Sequence, residues 1–284
     1  MAPISTDQLY LFHKMDREIF SCLVIKLGRS PSQSLLVMAL WLWLEYIGYP
    51  NLVSKLIDLP RILINLVAQE AVSCLNCLEF DDFHIPYNGV LTLTSALMQK
   101  EISLQLFKLK KFTAIAGIKN VLNKICARIF KDILLRILGS PYMGKLLPYA
   151  YRPVIVPGFP HRLFGDFNSP PTNFVQLDLS DPRIWNKNRL FDDVLDGEKT
   201  IFLTFSRGFP VTEEEVKFVF TSTFGINCIK NLQMGNKGLR DQTLFATMVV
   251  NDVETLDRIL NGKHIAKFRI NGKHIWARKY ERRE

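Results

Sequence analysis

Over residues 198–284 the apolar period switches between two and about 3.6 in a fixed succession, and this constrains the fold more than any other feature of the chain. KTIFLTFS, from Lys199, alternates as a buried strand. TEEEVKFVFTSTFG is an amphipathic helix, with Thr212 as N-cap and glutamates in its first turn. INCIKNLQM is a second strand, the polar loop GNKGLRDQ follows, and TLFATMVVN is a third. Asp252 caps the helix VETLDRILN, and the chain then reads as two strands joined by Asn271-Gly272, a strong hairpin signal. The order is β-α-β-β-α-β, with an extra short strand before the last.

The pentapeptide NGKHI opens twice in this region, at Asn261 and at Asn271. The first copy falls where a helix must end, so Gly262 is expected as a helix C-cap. The second falls between strands, so the same Asn-Gly pair is expected as a turn. Both sites need a residue that tolerates positive φ.

The first half of the chain has a different texture. DREIFSCLVIKLG is amphipathic and stops at Gly28. SPSQSLLVMALWLWLEYIGYP places Ser30 as N-cap, Pro31 at the first helical position and Gln33 where a capping box would want it. With Trp41 and Trp43 in an almost wholly apolar run, this is the expected central helix of an all-α domain. LLVMALWLWL has ten apolar residues before Glu45, well short of the roughly 20 that a bilayer span requires. Helical patterns continue from Pro60 to about Glu79 and from about Thr94 to Leu138. Between Pro141 and about Gly197 prolines become dense, which suits neither helix nor central strand.

The fold class is therefore α+β. Residues 1–14 are expected as a loose extension, 15–140 as an α-helical domain, 141–197 as an irregular proline-rich connector and 198–284 as the α/β domain. Of the net charge of +9, the last 87 residues hold 15 basic and 10 acidic groups, and the first 150 hold 16 and 11. A basic balance favours an anionic partner.

The α/β order resembles the RNA recognition motif (RRM), a ferredoxin-like fold. The resemblance implies that two short motifs on the central strands present aromatics for stacking on bases. The first would be IFLTFS, Ile201 to Ser206, with Phe202 at the stacking position. FATMVV aligns with the second, placing Phe245 at its first stacking position, Ala246 at the small one and Thr247 where a second aromatic is usual. Strand alternation independently turns Phe202, Phe245, Thr247, Trp276, Arg278 and Tyr280 to one face, and Ile201, Leu203, Ala246, Met248 and Ile275 to the other. Trp276 is a candidate to stand in for the ring missing at Thr247. Arg207, Lys230, Arg269, Arg278 and Lys279 are the candidate phosphate contacts. The expected ligand is single-stranded RNA.

Because the second motif is eroded, an alternative stays open: an RRM-like module acting as a protein-interaction or structural adaptor. MDREIF, SLLVMALWLWLE, TIFLTFSRGFPVTEEEV and NGKHIWARKY together also resemble a group of plant proteins with a helical N-terminal domain and a C-terminal RRM-like domain. That resemblance runs from Met15 onward and implies an RNA-binding type of protein.

Other candidate chemistry is thin. Cys74 and Cys77 form a CxxC inside a helical pattern with no second pair, which predicts buried thiols rather than a zinc site. The five histidines have no nucleophile motif beside them, and Asp81-Asp82 and Asp192-Asp193 read as solvated loop carboxylates. The sequence thus predicts no enzyme, no metal, no cofactor and no small-molecule substrate. Five cysteines without a disulfide framework, and no visible signal peptide, predict an intracellular protein of nucleus or cytoplasm. Residues 100–136 carry nine basic and two acidic groups, including Lys110, Lys111, Lys119, Lys124, Arg128 and Lys131. These are either a basic stripe or a solvated helix face.

Overall fold

The computed structural model of the protein describes residues 6–49, 51–85, 89–139, 154–167, 194–236 and 242–281. Two compact units divide the chain: Met1–Phe107 with Gly117–Leu190, and Lys108–Ala116 with Phe191–Glu284. Of the connector expected over 141–197, residues 141–153 and 168–193 lie outside the described residues.

The first unit is helical. Its longest apolar helix, Pro31–Tyr46, is buried on nearly every side, and both Trp41 and Trp43 are fully enclosed. Close packing around Trp43 depends on Gly117: a Cβ there would lie 2.1 Å from the Trp43 Cδ1. Phe20 stacks on Phe130 at 4.1 Å, and the Arg17 guanidinium forks onto the Asp132 carboxylate at 2.8 and 2.7 Å. Within the stretch read as a loose extension, Thr6–Phe12 is a helix, because Leu9 finds a fully buried site. Cys74 and Cys77 are buried on the helix Arg61–Glu79, and burial raises the Cys74 thiol. That helix is long and apolar enough to cross a membrane by length and composition, and half of its most apolar stretch is buried in the protein.

Two local expectations in this half are corrected. Ser30 does begin the helix, but its hydroxyl pairs with that of Ser32 at 2.9 Å instead of capping, and Gln33 accepts from Arg29. No capping box forms, because both side chains have nearer partners. Nor are the basic residues of 100–136 a uniformly solvated helix face. Lys131 is buried and its pKa lowered by that burial, and Arg128 donates to the carbonyls of Asn123 and Lys124.

The second unit carries one antiparallel sheet of five strands: β1 (Thr200–Phe205), β2 (Ile229–Met234), β3 (Phe245–Val250), β4 (Ile265–Ile270) and β5 (Lys273–Lys279). Their spatial order is β2-β3-β1-β5-β4, so the two motif-bearing strands β1 and β3 are neighbours near the centre. The helices Glu213–Phe224 and Val253–Leu260 cover one face, where Ile201, Leu203, Met248, Ile275 and Phe220 form the core. This arrangement is compatible with an RRM-like fold. The additional strand β4 adds Phe268 to that core, 5.0 Å from Phe220 and 5.9 Å from Phe224.

Thr212 makes a full capping box with Glu215, and Asp252 accepts the Thr255 N–H at 2.6 Å. Both Asn-Gly pairs adopt positive φ at both residues: 46° and 70° at 261–262, 47° and 77° at 271–272. Left-handed Asn261 therefore shares the work of ending the helix with Gly262, where the glycine alone was expected. Lys108–Ala116, read from sequence as part of the helical domain, belongs to this second unit. The Asp257 carboxylate accepts the N–H groups of Phe112 and Thr113, at 2.9 and 2.8 Å.

Candidate nucleic-acid interface

The face of the sheet opposite these two helices is built by the alternation on β1, β3 and β5. Thr200, Phe202 and Thr204 alternate with buried Ile201, Leu203 and Phe205. Phe245, Thr247 and Val249 alternate with buried Ala246, Met248 and Val250. Register then decides which side chains meet. Phe202 stands opposite Thr247 on one side and Arg278 on the other, and Thr204 stands between Phe245 and Trp276.

Phe202 and Phe245, diagonal neighbours across β1 and β3, stack with ring centroids 5.6 Å apart and planes 21° from parallel. Diagonal pairs on one sheet face are within reach of aromatic side chains. Phe245 is 41% exposed, which leaves its ring open to a ligand; Phe202 is half-buried. The Arg278 guanidinium lies 4.9 Å from the Phe202 centroid, a cation–π contact that holds a positive charge beside the stacked pair. Tyr280 adds a third ring 6.4 Å from Phe202. Trp276 stands beyond β1 from Thr247, near His274 at 5.8 Å. It lengthens the aromatic strip without refilling the position at Thr247.

The candidate cations fall into three groups. Arg278 belongs to the aromatic centre, and Arg269 sits with Lys267 on edge strand β4, in the rows of His274 and Trp276. Arg207 is exposed in the turn after β1. The Gln242 side chain fixes that turn, accepting from the Gly208 N–H and donating to the Ser206 carbonyl, both at 2.9 Å. Lys230 and Lys279 are held elsewhere. Lys230 reaches both oxygens of Asp196 at 2.7 Å, and its hydrogen bond pulls the Asp196 pKa down. Lys279 falls in the row of buried Ile201 and donates to the Gly197 carbonyl at 2.9 Å.

Three contributors were not singled out from sequence. Tyr280 and Lys267 follow from the same alternation, extended past the end of β5 and onto β4. Gly235 carries no such signal: a Cβ there would sit 2.6 Å from the Phe245 ring, so its bare backbone is the floor on which that ring rests.

Among the described side chains of this face, none is acidic, whereas Lys267, Arg269 and Arg278 are basic. The face can stack planar rings and neutralise anions. Among the described residues no group of three or more His, Cys, Asp or Glu is arranged to hold a metal ion. In comparisons with family models, curated proteins and solved structures, this chain matches none.

Proposed function

We propose that this protein binds single-stranded RNA on the open face of an RRM-like domain, as a non-catalytic binding module. The observation that carries this reading is the stacked pair Phe202–Phe245 on a face with cations and no acid among its described side chains. A base stacked on an exposed ring gains about 1–3 kcal/mol and tolerates most sequences. Arg278, Arg269, Lys267 and Arg207 would neutralise phosphates, which makes affinity fall with salt. Lys230 contributes only after Asp196 releases it, and Trp276 extends the strip for a further base.

The test is a titration of labelled single-stranded RNA against wild type and the double variant Phe202→Ala/Phe245→Ala, at two salt concentrations. The expected loss is about 10- to 100-fold at both salts. Equal affinity for the two proteins would leave charge attraction alone and return the face to the protein-adaptor reading.

A further inference from the structure

The position where a second platform ring is missing lies in a straight cross-strand row. Gln233 on β2 pairs with Thr247 on β3, Thr247 with Phe202 on β1, and Phe202 with Arg278 on β5. All four side chains are on the open face. Gln233 is exposed, and among the described residues its amide has no hydrogen-bond partner. Adjacent strands are about 4.8 Å apart, so Gln233 stands about 10 Å from Phe202, with only a threonine between. A ring at 247 would fill that gap. Threonine leaves a low floor across which a base stacked on Phe202 can extend toward the amide.

We propose that Gln233, across the floor left by Thr247, reads adenine in the base stacked on Phe202. This rests on the RNA-binding reading of the same face. A glutamine amide offers one donor and one acceptor side by side, matching the N6 donor and N7 acceptor of adenine. Guanine presents two acceptors at the corresponding edge and calls for two donors from Arg or Lys. The cation of this row, Arg278, is on the far side of Phe202, away from Gln233. A pyrimidine stacked at the same place ends short of Gln233.

The experiment uses the full chain and fluorescein-labelled octamers (AU)4, (GU)4, U8 and C8, with wild type, Gln233→Ala and Thr247→Phe. Wild type is expected to prefer (AU)4 over the others by about tenfold. Gln233→Ala, an exposed substitution, should bring all four within about twofold of one another. Thr247→Phe should bind all octamers at least as tightly as wild type, because it restores a stacking ring, while losing the adenine preference. Wild-type binding that is measurable but equal for the four octamers overturns this inference and leaves the RNA reading standing. The same holds for a preference that survives in Gln233→Ala. No binding to any octamer overturns both.

Discussion

Glu215 and Lys273, 58 residues apart, meet with the ammonium 2.8 Å from both carboxylate oxygens. Asn271 donates to the same carboxylate at 3.0 Å, and Glu215 in turn accepts the Thr212 N–H at the N-cap of the helix Glu213–Phe224. The β4–β5 turn, the second NGKHI, is thereby tied to the start of that helix.

The Lys273 hydrogen bond, with the capping and Asn271 contacts, pulls the Glu215 carboxyl down to about 2. A depressed carboxyl contributes stability above its unfolded value of about 4.3 and loses it as pH falls toward about 2. Glu215→Gln should lower stability at neutral pH by about 1 kcal/mol. It should also flatten the acid limb between those values. Thermal melts across pH 2–5 read this out, and an acid limb identical to wild type would refute it.

Asp257 behaves in the opposite sense. Burial raises its carboxyl to about 6, with the Thr113 and Phe112 hydrogen bonds opposing. A raised pKa gives stability that is complete below the unfolded value, about 3.9, and declines as pH rises through about 6. Asp257→Asn keeps an acceptor for one of the two N–H groups and removes the titration. Its stability should be nearly flat between pH 4 and 6.5, where wild type declines relative to it. Parallel curves in chemical denaturation would exclude the assignment.

Gly235→Ala places a methyl against the far end of the Phe245 ring, a side chain free to swing outward. Stability should change by less than about 1 kcal/mol, and RNA affinity should fall about tenfold as the ring leaves Phe202. Loss of affinity without loss of fold, followed by circular dichroism, is the expected pattern.

Gly117→Ala meets a neighbour that cannot yield, since Trp43 is fully buried. Overpacking there should destabilise the helical unit by about 1–3 kcal/mol, with a shifted Trp fluorescence maximum. A wild-type melting profile would show that the helices slide apart freely at this point.

Much of the C-terminal unit was legible in the sequence because its signals are local. The Asn-Gly turn, the Thr212 and Asp252 caps and the period-two strands each act over a few residues. Together they give strand order along the chain and the side on which Phe202, Phe245 and Trp276 emerge. The Ser30–Gln33 box failed because a capping pattern is only an offer of hydrogen bonds, which Ser32 and Arg29 took first.

By itself, then, the sequence determined periodicity, and with it which residues share a face. Tertiary structure decided which of them touch. Pairing β1 between β3 and β5 set the Phe202–Phe245 stack and brought Arg278 over Phe202. Folding also placed Gly235 beneath a ring, handed Lys230 to Asp196, and gave Lys108–Ala116 to the C-terminal unit. The reason is physical: alternation is fixed by the geometry of each strand, whereas contacts between distant residues depend on strand order and on competition among partners that only the folded chain brings together.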